Sequence, residues 1–196
     1  MSVPDVTASA RAAGLTLRSR PADVVELAAV RERAQVLKAL ARRRGIQLPD
    51  LGHVVATGST LVLCVRPGRW LVLTPPEAPG TAAAAWQAAC AGCGIGIDLS
   101  SALTAFEVAG PEVRALLARG CRLDLDPEVF PAGHAAGTLM AQVPVVLAAL
   151  ATGVLLLTPS STARHFREWL THAARPFGLA PDGDASVAAV SADART

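Results

Sequence analysis

Residues 137–159, GTLMAQVPVVLAALATGVLLLTP, carry no charged side chain and limit the folds open to this chain more than any other stretch. About 20 apolar residues suffice to cross a bilayer as a helix, so the segment is either a membrane span or deeply buried core. Pro144 and Thr152-Gly153 cut it into three pieces. Proline removes a helical hydrogen bond and clashes with the preceding turn, and Thr-Gly is turn chemistry. The pieces are rich in Val and Leu and short enough for strands. A buried β-hairpin is therefore expected rather than a membrane helix, because strands covered on both faces are continuous apolar runs.

The surrounding sequence can bury such a hairpin. Of 196 residues, 52% are hydrophobic and 17% charged, a balance that excludes a disordered polymer. The length suits one domain. Residues 1–20 are expected to be a flexible leader and 179–196 a flexible tail, with a single domain over 21–178.

Within that domain, VVELAAV (24–30) suits a strand. ERAQVLKALARRR (32–44) places Val36, Leu37, Leu40 and Ala41 on one helical face and stops at Gly45. STLVLCVRPGRWLVLTP (59–75) is expected to form two strands around a turn at 66–69. The Ala-rich stretch 81–91 is helical, with Trp86, Ala89, Cys90 and Cys93 at helical spacing. GIGIDLS and LTAFEVAG are strands. Gly110-Pro111 opens a helix whose Val113, Leu116 and Leu117 face inward and which stops at Gly120. Ser160-Ser161-Thr162 can cap a last helix with Phe166, Trp169, Leu170 and Ala173 on one face. This order predicts an α+β fold, largely antiparallel sheets with packed helices, in two similar half-units.

Candidate chemistry is sparse. A net charge of +2 and a single lysine, Lys38, do not make a nucleic-acid footprint. The densest basic run, ARRRG at 41–45, ends a helix, where cations complement the dipole. The first residues lack the apolar core of a signal peptide, so the four cysteines are expected to be reduced thiols in a cytoplasmic protein. CAGC (90–93) ends a helix, whereas a redox pair sits at a helix start. GCGIGID (92–97) leads into a strand, whereas a dinucleotide motif opens a helix. His53, His134, His165 and His172 are scattered; His165 and His172, seven apart, are expected to face solvent. Asp98 and Ser100 follow a strand, where short polar side chains satisfy backbone amides. RGCRLDLDPEVFPAG (119–133) gathers a thiol and acidic residues at a corner. Asp124 and Asp126 are expected to bond its amides, and Cys121 to be a small packed thiol.

Three blocks, RPGRWLVLTP (66–75), DLSSALTAFEVAGPEVRALLARGCRLDLDPEVFPAG (98–133) and LLLTPSSTARHFREWL (155–170), together resemble the gamma subunit of heterotetrameric sarcosine oxidase. Trp70, Asp98, Ser100, Gly110, Pro111, Gly120, Cys121, Leu123, Asp124, Leu125, Phe130, Pro131 and Gly133 carry the resemblance, which runs from about residue 20 to 178. It implies a fold like the folate-binding domain of the glycine-cleavage T-protein. It also implies a non-catalytic structural subunit, with alpha, beta and delta partners, in a complex that oxidatively demethylates sarcosine to glycine. The one-carbon unit passes to tetrahydrofolate or leaves as formaldehyde, and hydrogen peroxide is made. FAD, FMN, NAD, tetrahydrofolate and zinc would lie on the other subunits, with no cofactor and no catalytic residue in this chain. Two departures from the family pattern stand out: Gly68-Arg69 replaces a more usual acidic pair before Trp70, and the apolar hairpin lacks a charged tip. The competing reading is a free-standing folate-binding or one-carbon transfer domain. The folate-using relatives place an Asp in the region of 139–150, which here has no acidic residue. A membrane-anchored protein using 137–159 is the weakest alternative.

Overall fold

The structure, a computed structural model, describes residues 14–30 and 32–179. Its strands are β1 (Thr16–Ser19), β2 (Asp23–Ala29), β3 (His53–Thr57), β4 (Thr60–Arg66), β5 (Arg69–Thr74), β6 (Gly94–Asp98), β7 (Leu103–Ala109), β8 (Ala135–Met140), β9 (Val143–Leu150) and β10 (Gly153–Pro159). The helices are α1 (Ala34–Arg43), α2 (Thr81–Ala89), α3 (Val113–Ala118) and α4 (Ser160–Ala174). Every strand pairing is antiparallel. One five-stranded sheet has the order β1-β7-β10-β9-β8 and the other β3-β4-β5-β2-β6. The α+β class with antiparallel sheets and packed helices is as expected.

The charge-free segment is a meander of three strands, β8, β9 and β10, rather than a two-stranded hairpin. Its first break lies at Ala141-Gln142, a two-residue turn with positive φ at both positions (50° and 67°), and not at Pro144. Non-glycine residues seldom adopt this conformation, so the turn gives no sequence signal. Pro144 is inside β9. Met140 and Val143 close the turn, so the next pair, Leu139–Pro144, falls where the two strands exchange no hydrogen bonds. The second turn is Ala151-Thr152, and Gly153 already belongs to β10. Among the described residues no helix is long and apolar enough to cross a membrane.

Both faces of β10 and of most of β9 are covered, which explains their lack of charge, while β8 at the sheet edge leaves Leu139 exposed. Leu147, Ala149, Val154 and Leu156 pack with Phe166 and Leu170 of α4 and Leu116 and Leu117 of α3. Ala148, Leu155 and Leu157 point the other way, onto Val24, Leu63, Leu71 and Leu73 of the second sheet. That sheet's outer face carries Val25, Leu27, Val62 and Val72 under Leu37, Ala41, Ala83 and Trp86 of α1 and α2. The result is four layers: helices, sheet, sheet, helices.

Three local expectations differ. Val36 is 53% exposed, because it sits about 100° around α1 from Leu37, which the sheet buries. Ser160, Ser161 and Thr162 do not cap α4: Pro159 occupies the N-cap position, and the Thr162 hydroxyl donates to the Pro159 carbonyl at 3.0 Å. Residues 16–19, within the stretch read as a leader, form β1, with Leu15 and Leu17 buried against Val108. The rest of that leader, 1–13, and the tail beyond 179 lie outside the described residues.

Candidate functional site

The corner 119–134 is built from the backbone outward. Asp124 Oδ1 accepts the amide of Asp126 at 3.0 Å, and Asp126 Oδ1 accepts the amide of Glu128 at 2.8 Å. These two Asx turns coil the chain. The Asp126 carbonyl then accepts the amides of Val129 and Phe130. Leu125 and Phe130 thereby point into the core of the first sheet. From α3, the Arg114 guanidinium donates to the carbonyls of Leu125 and Phe130, clamping both ends of the loop. Gly120 is a packing requirement: a Cβ there would lie 2.5 Å from the Trp169 ring. Half-buried Cys121 donates its amide to Leu117 and bridges to Met140.

Gly133, with φ of +93°, ties the two sheets together. Its amide donates to Ala149 of β9, and its carbonyl accepts from Val54 of β3, both at 2.8 Å. Pro131 contributes the carbonyl that the amide of His134 reaches. The His134 ring stands 4.9 Å from the His53 ring across this junction.

The second motif lies at the β6–β7 crossover. Asp98 Oδ1 accepts the amide of Ser100, and the Ser100 hydroxyl accepts the amide of Val24 at 3.0 Å. Hydrogen bonds from the Ser100 side chain and amide hold the Asp98 carboxyl below the usual carboxylate range. Gly110 packs so closely on Gly14 that a Cβ would sit 2.0 Å from its carbonyl oxygen, and α3 begins soon after Pro111. Trp70 is buried under α1, its indole N–H donating to the Pro49 carbonyl at 2.8 Å. Trp70, Asp98, Gly110, Pro111 and the corner residues therefore do not converge on one pocket. They mark separate joints.

The thiols are set for packing. Cys64, Cys90 and Cys93 are buried, and burial pushes the Cys64 and Cys90 thiols up. CAGC follows α2, as the residue order predicts. Arg42, Arg43 and Arg44 are exposed at the end of α1, and His165 and His172 are exposed on α4.

The principal cluster that sequence reading missed is Glu26. Only 5% exposed in mid-β2, it accepts from Arg66 Nη2 at 2.7 Å and from Arg69 Nη1. Its neighbours in register are Leu71 on β5 and Ile97 on β6. It lines a cavity of about 430 Å³ between the sheets, with Arg66, Leu71, Leu103, Val146 and Leu157. The available signal was a lone Glu on the apolar face of a strand; its partners sit on a hairpin tip that reads as solvated.

The family profile described as sarcosine oxidase, gamma subunit, matches residues 28–175. This chain belongs to the sarcosine oxidase gamma subunit family. It is similar to a sarcosine oxidase subunit gamma of a Corynebacterium sp. (strain P-1), 32% identical over 148 residues, covering 73% of this chain and 71% of that one. A sarcosine oxidase subunit gamma of an Arthrobacter sp. is 35% identical over 111 residues, 56% of this chain and just over half (54%) of that protein. Among solved structures, a chain of the heterotetrameric sarcosine oxidase from Corynebacterium sp. U-96, in complex with pyrrole 2-carboxylate, matches with TM-score 0.74. It is 27% identical, covering 89% of this chain and 90% of that one. The glycine cleavage system aminomethyltransferase T from Bartonella henselae shares the fold, with TM-score 0.62 and 12% identity, over 87% of this chain and 48% of that one. The T-protein-like fold is thus established for this gamma-family chain.

Proposed function

We propose that this chain is a structural gamma subunit, itself without an active site, of a heterotetrameric sarcosine oxidase that oxidatively demethylates sarcosine to glycine. The complex would pass the one-carbon unit to tetrahydrofolate or release formaldehyde, and make hydrogen peroxide. The observation that carries this reading is the joint likeness of sequence and backbone to a chain of such a complex over nearly the whole of both. The way the motif residues are used supports it. Asp98, Asp124 and Asp126 each bond a backbone amide, so their lone pairs hold turns rather than a proton in transit.

In this reading FAD, FMN, NAD, tetrahydrofolate and zinc belong to the alpha, beta and delta partners, in the cytoplasm. Among the described residues, those singled out above do not suit these groups. The glycines at 92–96 lead from α2 into β6, so they present no helix start to a phosphate. The inter-sheet cavity's one carboxylate, Glu26, is already bound by two guanidiniums and is not available to a folate amine. Cys90 and Cys93 are joined by no third His, Cys, Asp or Glu in a metal-sized group among the described residues.

Co-expression of this chain with the flavoprotein subunits of its host tests the proposal. The expected result is one assembly containing this chain and flavin absorbance, while the chain purified alone is colourless. Failure to co-purify overturns it. Saturable binding of folate to the isolated chain by calorimetry would favour the free-standing folate domain instead.

A further inference from the structure

The two sheets do not cover each other completely. On the inner face of the second sheet, Ile95 and Ile97 share the side of β6 that Ala28 and Glu26 occupy on β2. They remain 42% and 37% exposed. On the inner face of the first sheet, Leu139 lies on the same side of β8 as buried Ala135 and is 42% exposed. Its cross-strand neighbour Pro144 is also exposed. Gly137, between Ala135 and Leu139, has open space where a Cβ would be. The gap left between the sheets holds a cavity of about 430 Å³, with Glu26, Arg66 and Leu71 on one side and Gly137, Pro144 and Leu157 on the other.

Charge tells what the gap accepts. Two guanidiniums, Arg66 and Arg69, face a single carboxylate, Glu26, and both arginines keep a large exposed fraction. An otherwise apolar mouth thus carries one uncompensated positive charge, and its complement is an apolar group beside a carboxylate. The occupant enters over the face rather than along the strand edge. The Gly96 amide of β6 already donates to the Gln87 side chain at 3.0 Å, so an added strand would have to displace it.

We propose that this gap docks a segment of a partner subunit, whose apolar side chains enter between Ile97, Leu139 and Leu157 and whose neighbouring Asp, Glu or terminal carboxylate pairs with Arg66 and Arg69. This inference rests on the assembly reading above and adds the surface and the chemistry of the contact. The test uses the co-expressed complex. The double variant Ile95→Ser with Ile97→Ser is expected to weaken retention of this chain at least tenfold, because two apolar groups lose their burial. Arg66→Gln is expected to weaken it less and to flatten its salt dependence. Val36→Ser, on the outward side of α1, is expected to leave it unchanged.

If the wild-type chain does not assemble, the subunit reading fails and this inference with it. If wild type and all variants assemble alike, the subunit reading stands and this inference is overturned. The same holds if the isoleucines instead mediate a dimer of this chain while the complex stays intact. A second measurement does not depend on weakened binding. Within the assembled complex, a maleimide is expected to label Leu139→Cys at least tenfold more slowly than Val36→Cys. Equal rates overturn the proposal.

Discussion

The two five-stranded sheets share an architecture but not a style of packing. The first is covered by α4, whose Phe166 and Leu170 are fully buried, together with Leu116 and Leu117 of α3. The second is covered by helices that contribute mostly small groups, Ala41, Ala83 and Cys90, around Leu37 and Trp86. In the first sheet β9 and β10 carry no charged residue on either face, whereas the second places Glu26 on its inner face in mid-β2 and leaves Ile95 and Ile97 partly exposed. Each half leaves apolar groups of its inner face exposed, Leu139 and Pro144 on the first and Ile95 and Ile97 on the second, and the second sets Glu26 with its two arginines beside them. The helices do not decide that difference, because the exposed groups lie on the faces turned away from them.

The largest expected effect lies in the first half. Phe166→Ala removes the ring that packs near Phe106 and Trp169 and should lower stability by about 3–5 kcal/mol in denaturant unfolding. Leu37→Ala, its counterpart over the second sheet, should lower it by about 2–5 kcal/mol. Both variants should shift one shared transition with unchanged slope, since the inter-sheet core joins the halves. Two separate transitions would break the comparison. Next comes the charged cluster. Arg66→Ala with Arg69→Ala leaves Glu26 buried without its guanidinium partners and should lower stability by about 2 kcal/mol, the arginines' exposure having already screened part of the interaction.

A smaller effect is expected at the exposed joint Asp98. Its carboxyl is held below the ordinary range, so its stabilising contribution is fully present above the unfolded-state value of about 3.9. That contribution is lost as pH falls through the lower folded-state value. The gap in melting temperature between wild type and Asp98→Asn should therefore close below about pH 4, and a gap that persists there would contradict the assignment. Last, thiol labelling should separate the halves without any energetic change. Cys121, half-buried on the first side, should react before Cys64 and Cys90, whose raised pKa values keep them protonated. Mass mapping after brief labelling of the native chain reads the order.

Much of the fold was legible from local patterns. Hairpin tips with Pro67-Gly68 chemistry, helical faces such as Val113, Leu116 and Leu117, and short Asx turns at Asp98 and Asp124 announce themselves over a few residues. What stayed hidden had no local signature. The Ala141-Gln142 turn uses residues that rarely adopt positive φ and is helped by an amide donated from Ala141 to the Gly120 carbonyl, a partner far along the chain. The Glu26 cluster likewise needs Arg66 and Arg69, 40 and 43 residues away.

The residue pattern by itself determined that 137–159 is sheet core, that helices and antiparallel strands alternate, and that RGCRLDLDPEVFPAG is a corner. Periodicity, proline and glycine act over one or two turns and leave their mark in the order of residues. Only the tertiary structure decided that Gly120 yields to Trp169, that Gly133 joins two sheets, and that the sheets part around Glu26. Those features are distances between segments remote in sequence, and a linear pattern contains no distance across the fold.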